Sequence, residues 1–278
     1  MSRFFGRLRR AVWAVYMDGG LGYAKGAAYS ALLAFFPVLT TLTTLLVQAN
    51  AEAASRKIAN FLSSVTPPGT QELLRYAMAE RGARPVSLPV AASILALWAA
   101  SGVMISLLDG FQAAYKTPDK RGVVSKRIVA ILLVFIVVVP VVGASFVLIF
   151  GDKVEDWMLH SLGVLRSDQT VTGGVHLVSR IVRSLFSLGT TIMVTALLYS
   201  FGPSPGRKFR TVWSGAALAT VLWLLVTLVF AWYVRHIGNY NVLYGSIGTV
   251  IALLVWMYLV AVIVIIGCEY NAVCERRK

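Results

Sequence analysis

The sequence predicts an all-α integral membrane protein with six transmembrane helices, and three observations carry that prediction. Of 278 residues, 58% are hydrophobic and only 14% charged, with a mean hydropathy of +0.74; soluble domains run at about 45–50% apolar and about 25% charged. Six uninterrupted apolar runs have the length, about 20 residues, that a hydrocarbon layer of about 30 Å demands at about 1.5 Å rise per residue. Lysine and arginine concentrate in alternate connecting segments. Together these exclude a soluble globular enzyme, and the low charge excludes a disordered chain.

Residues 1–26 form the first segment. At 100° per residue Phe4, Phe5, Leu8, Ala11, Val12 and Val15 share one arc and Arg3, Arg7 and Arg10 another, which predicts a basic amphipathic helix lying on the inner leaflet. A bare topology signal would need only the charges. The six spans follow at about 27–47, 88–108, 128–150, 183–201, 212–232 and 246–268, within a transmembrane domain of 27–271, before a basic tail at 272–278. A barrel strand would alternate over about 10 residues, whereas these runs are apolar all round. Ala49-Asn50-Ala51 resembles a cleavage site, but the preceding run exceeds the ~7–15 residues of a signal core, so an uncleaved helix is expected. In the connecting segments, Ile58, Phe61, Leu62 and Val65 predict a short helix, 70–81 another, and Asp152 with Glu155 reads as an N-cap opening a third.

Orientation follows from charge. Segments 1–26, 109–127, 202–211 and 272–278 hold most of the 26 basic residues, so the positive-inside rule places both termini in the cytoplasm, as an even number of spans requires. The net charge of +14 is then explained by anionic headgroups at the cytoplasmic face, and no nucleic acid is expected.

Little in the chain suggests reaction chemistry. Cys268 and Cys274 fit neither a redox nor a zinc spacing and read as two free thiols. His160, His176 and His236 form no metal motif, and no nucleophile elbow or phosphate loop is present; neither enzymatic activity nor a metal or cofactor is expected.

Polar residues within the spans are more informative, because in hydrocarbon they face the bundle interior or a cavity. Ser30, Thr41, Thr44 and Gln48 project within an arc of about 60° on span one, with Pro37 among them, and Pro140 should kink span three. Ser184, Ser187, Thr191 and Thr195 share a face of span four, with Arg180 and Arg183 toward its outer end. Two readings stand: both stripes line a cleft for a lipid-like or anionic compound, or they pack helices closely. Asp109 and Glu269, at helix ends, either relay a proton or cation or simply reach the interface. A transporter or translocator is the first functional expectation, a non-transporting envelope assembly protein the alternative; self-association is open under both.

Ordered motifs run along the chain. Ala28-Tyr29 and Ala31 to Pro37 open span one; Leu97-Trp98-Ala99-Ala100-Ser101 lies in span two; Leu198-Tyr199-Ser200-Phe201-Gly202-Pro203 closes span four; Trp213-Ser214-Gly215-Ala216 opens span five. Tyr244-Gly245-Ser246-Ile247-Gly248, Leu254 to Leu259 with Trp256 and Tyr258, and Gly267-Cys268-Glu269-Tyr270-Asn271 follow. This set resembles the YihY/virulence factor BrkB family of bacterial inner-membrane proteins. Ser214 stands where the family often has Pro, and 109–115 matches only loosely. The resemblance implies six helices in the bacterial inner membrane and a role linked to serum resistance or to moving lipid-linked material; it supplies no catalytic residues. A ribonuclease label once attached to the family finds no support here, since Asp18, Asp109, Asp119, Glu269 and Glu275 are scattered along the sequence.

Overall fold

The computed structural model describes residues 2–48, 87–161, 173–203, 207–236 and 240–276. Among them the chain is entirely helical: α1 Ser2–Met17, α2 Gly20–Gln48, α3 Ser87–Tyr115, α4 Val123–Ser161, α5 Gly173–Phe201, α6 Phe209–His236 and α7 Tyr240–Glu275. Six stretches are long and apolar enough to cross a membrane: Gly20–Thr44, Pro89–Tyr115, Val123–Leu148, Ile181–Phe201, Phe209–Val234 and Ile247–Glu275. Each predicted span is found, and several extend past their predicted limits. The apolar run stops at the first polar residue, but the hydrogen-bond ladder of a helix does not.

Two expectations are corrected by that continuity. Residues 20–26, assigned from sequence to the N-terminal segment, belong to α2, because α1 ends at Met17 and Gly19 (φ 74°) turns the chain directly into the next helix. Asp152 and Glu155 open no new helix: α4 runs unbroken through both to Ser161. Pro37 and Pro140 lie inside continuous α2 and α4. The segments holding residues 58–65 and 70–81 lie outside the described residues.

The six long helices close a ring in chain order, α2 on α3, α3 on α4, α4 on α5, α5 on α6, α6 on α7 and α7 back on α2, with α3 also touching α7. α1 lies against α7 and, more lightly, α2. Its buried residues are Ala11 and Val15, whereas Phe5, Val12, Trp13 and Tyr16 are exposed, so the apolar arc read from sequence is divided between the bundle and its surroundings.

The main core lies at the end of the ring that carries both termini, termed here the terminal end. Ala24 and Ala27 of α2, Leu107 to Ala114 of α3, Ala130 and Leu133 of α4, Ala196 to Tyr199 of α5, Val212 to Ala219 of α6 and Ala261 to Cys268 of α7 supply it. Past this core burial thins: no residue from 181 to 193 in α5, 221 to 229 in α6 or 135 to 143 in α4 is buried, while farther out Ala144 and Phe230 are, and α2 and α7 keep Leu39, Thr44, Ala252 and Leu253 covered.

Small residues allow the close approaches on which this core depends. Gly26 meets Ser106 and Gly102 meets Ser30, each at 3.0 Å from the position a Cβ would take, so α2 and α3 interlock by a reciprocal glycine–serine pair. Gly215 of α6 and Gly267 of α7 face each other so closely that a Cβ on Gly267 would fall 2.7 Å from the Gly215 carbonyl oxygen and 2.8 Å from Ala219. α3 ends with bonds from Lys116 N to Ala113 O and Thr117 N to Gln112 O, and Lys116 takes the left-handed conformation (φ 53°) that this termination requires. Gly267→Ala should force α6 and α7 apart, destabilising the bundle by about 1–3 kcal/mol; a lowered thermal unfolding midpoint in detergent checks it.

Candidate functional site

Two polar zones occupy the ring: a seal across the terminal end, and a stripe on α5 beyond it.

The seal is built from side chains that bond the backbone of neighbouring helices. Tyr199, completely buried, donates its hydroxyl to the Val264 carbonyl at 2.6 Å while Phe111 packs edge-on to its ring at 5.4 Å. Asn271 accepts from the Gly215 N–H at 2.7 Å and the Ser214 hydroxyl at 3.2 Å, and donates to the Val212 carbonyl at 3.0 Å. Such cross-helix bonds are available because the glycine contact brings α6 within reach of α7. Around this centre the connecting segments are tied down. Arg121 donates to the carbonyls of Gly202 (3.0 Å) and Pro203 (3.4 Å). Arg276 donates to the Ala114 carbonyl. Arg207 lies over the Tyr115 ring at 4.1 Å and pairs with Glu275 at 3.8 Å. Lys126 bonds Asp109 and pairs with Asp119 at 3.6 Å.

Glu269 overturns one expectation. Of its two readings, relay group or carboxylate reaching the interface, the second does not hold, because Glu269 is 1% exposed. Asp109 does lie near the end, paired with Lys126.

The predicted span-one stripe is placed against α3. Ser30 packs on Gly102; the Thr41 hydroxyl approaches Ser93 at 3.4 Å and donates to the Pro37 carbonyl at 2.9 Å; Thr44 is buried and donates to Thr40 O at 2.7 Å. Gln48 belongs to α2, but its side chain lies outside the described residues. Span four differs. Its apolar residues Val182, Leu185, Phe186 and Met193 are exposed, while Arg183, Ser187, Thr191 and Thr195 are partly covered, so the polar face turns toward the ring interior; Ser184 is exposed at its edge. One nitrogen of Arg183, Nη1, is buried. The Thr191 and Thr195 hydroxyls donate to the carbonyls of Ser187 (3.0 Å) and Thr191 (2.8 Å), which leaves their lone pairs facing inward. The side chain of Arg180 lies outside the described residues. α2 and α5 are not neighbours in the ring, so among the described residues the two stripes do not line one main helix–helix interface.

The motif residues distribute between these zones. Tyr199, Pro203, Gly267 and Glu269 are buried in the seal; Trp98 is exposed, with Arg127 over its ring at 3.7 Å; Tyr29 is exposed on α2. Gly248 is buried, Trp256 donates to Thr227 at 3.3 Å, and Tyr258 packs against the core. The side chain of Tyr244 and the surroundings of Gly245 lie outside what is described. Asp18, Arg121, Lys126 and Arg207 carry the ties that sequence reasoning left unassigned. Their only sequence signal was placement in the basic segments, where lipid attraction already accounted for charge.

The profile of the virulence factor BrkB family matches residues 13–278. The chain belongs to this family. Among relatives of the BrkB family chain, the ribonuclease-like protein YfkH of Bacillus subtilis (strain 168) is 29% identical over 264 residues, covering 92% of this chain and 91% of YfkH. A UPF0761 membrane protein of Alteromonas mediterranea is 26% identical over 246 residues, 88% of this chain and 79% of its own length. Another from Chromohalobacter salexigens is 26% identical over 275 residues, 98% of this chain but 64% of that longer protein. No solved structure matches. The motif set quoted from the sequence thus indicated the family correctly.

Asn271 offers a test of the seal. Asn271→Ala removes three hydrogen bonds worth about 0.5–1.5 kcal/mol each, whereas Asn271→Asp also replaces the donor to Val212 with a buried carboxylate. Asn271→Asp should lower the unfolding midpoint at neutral pH more than Asn271→Ala does.

Proposed function

We propose that this BrkB family protein moves an amphipathic, anionic compound across the inner membrane of a bacterium, with both termini cytoplasmic. The observation that carries the reading is the asymmetry of burial along the ring: buried side chains seal the terminal end, whereas residues 135–143 of α4, 181–193 of α5 and 221–229 of α6 include no buried side chain. A helix bundle sealed firmly at one end fits one of the two forms that alternating access requires. The α5 face supplies lone pairs from Ser187, Thr191 and Thr195 and positive charge from Arg183 to the interior, the chemistry that suits an acidic headgroup or solute. Arg9, Arg10, Val12 and Trp13 of α1 line a surface cavity of about 480 Å³, and the exposed aromatics beside it suit a helix lying among anionic headgroups on the cytoplasmic side.

The reading is non-enzymatic. Asp109, Asp119 and Glu275 each pair with Lys126 or Arg207, which gives these acids work as ties rather than as metal-activating carboxylates. The ribonuclease-like name belongs to YfkH.

One observation favours a second reading, a non-transporting assembly protein: the α2 stripe is spent on packing against α3. Thiol accessibility separates the two. In a chain with Cys268 and Cys274 replaced by alanine, Thr191→Cys in intact cells should react with a membrane-impermeant maleimide, and Arg183→Leu should slow transbilayer movement of a fluorescent acidic phospholipid in reconstituted vesicles at least several-fold. An unreactive thiol together with no protein-dependent lipid movement would establish the assembly reading.

A further inference from the structure

α1 lies across α7, not along it. At one end Phe4 meets Tyr270, with ring centroids 5.9 Å apart; just past the other end Gly20 sits where a Cβ would fall 2.8 Å from Val15 Cγ1 and 3.1 Å from Ile265 Cγ2. Nearly the whole of α1 thus corresponds to little more than one turn of α7, so the helix crosses the terminal end where a bilayer interface meets the bundle. Its sides are divided accordingly. Phe4, Leu8, Ala11 and Val15 recur at i, i+4, i+7 and i+11 and turn toward the bundle, with Ala11 and Val15 buried. Phe5, Arg9, Val12 and Tyr16 repeat that spacing one residue further round, flanked by Trp13 and Met17, and the apolar members of this outer face are 48–65% exposed. A contiguous apolar patch of this kind is unfavourable in water, whereas aromatic rings around an arginine suit the headgroup level of a bilayer.

We propose that the outer face of α1 is a binding site for an acidic phospholipid, its phosphodiester held by Arg9 and Arg10 and its glycerol and first methylenes laid on Val12 and Trp13. These four residues line the surface cavity of about 480 Å³. Arg10 Nε donates to the Gly6 carbonyl at 3.0 Å, which fixes the guanidinium and leaves its two terminal nitrogens for a phosphate, and Arg9 stands exposed beside it. Among the described residues no carboxylate pairs with either arginine: α1 contains no acid, and Asp18, which follows it, pairs with Lys116 at 3.6 Å. That arrangement selects by charge. A zwitterionic headgroup brings its own cation against two arginines with no carboxylate to receive it, whereas an acidic headgroup brings only the anion. The site rests on the reading of α1 as a helix among headgroups and is independent of transport.

The full-length chain in phosphatidylcholine vesicles tests this, with a minor fraction of phospholipid brominated near the headgroup end of its chains as quencher. The signal is the part of the tryptophan emission that Trp13→Phe removes. Brominated phosphatidylglycerol should quench it several-fold more than brominated phosphatidylcholine at equal mole fraction. Arg9→Gln combined with Arg10→Gln should abolish that preference, and Lys120→Gln combined with Lys208→Gln, which removes the same charge from exposed positions elsewhere at the terminal end, should preserve it. Equal quenching by the two lipids would overturn the site, as would a preference that survives the arginine pair or falls equally with the lysine pair. Quenching by neither lipid would put the outer face of α1 in water and overturn its place among headgroups as well. The quencher occupies both leaflets, so the result depends neither on the orientation of the chain nor on lipid movement.

Discussion

The arrangement at the terminal end rests on the contact between Gly215 and Gly267. Helices in lipid gain no hydrophobic free energy by meeting each other, so their association depends on close fit and on polar groups that find partners. Removing both Cβ atoms brings the α6 backbone to the α7 backbone, and only at that separation do Asn271 and Tyr199 reach the peptide groups of neighbouring helices. The Ser30–Gly102 and Gly26–Ser106 contacts act in the same way between α2 and α3.

Around that centre, charge acts locally. Arginines 121 and 276 cap carbonyls at the ends of other helices, where the helix dipole favours positive charge, and Arg207 closes its segment onto α3 and α7 together. The basic residues that a topology rule counts as one population therefore separate into two groups: those left exposed, as Arg9 and Arg10 on α1, and those tying the terminal end shut. The main buried core lies at that same end, so packing is densest where these ties are.

This grading changes the meaning of the polar stripes. On α2 the serine and threonines stand at an interface, with hydroxyls returned to their own helix or set against α3; on α5 a similar spacing stays partly covered, with Thr191 and Thr195 donating within α5. Both stripes satisfy the same helical periodicity. What differs is the neighbour.

The six spans, their order and the family were legible in the sequence, because hydrocarbon thickness sets the length of an apolar helix and charge marks its flanks. Helix limits were less so: Asp152 and Glu155 mimic a start signal inside α4, since a capping pattern is local and the helix beyond it was already propagating. The burial of Glu269, the α2–α3 interlock and the Asn271 bonds to α6 were decided by tertiary structure alone. Periodicity states which residues share a face; the partner of that face is set by contacts between segments as far apart as residues 114 and 276, and no local pattern encodes that distance.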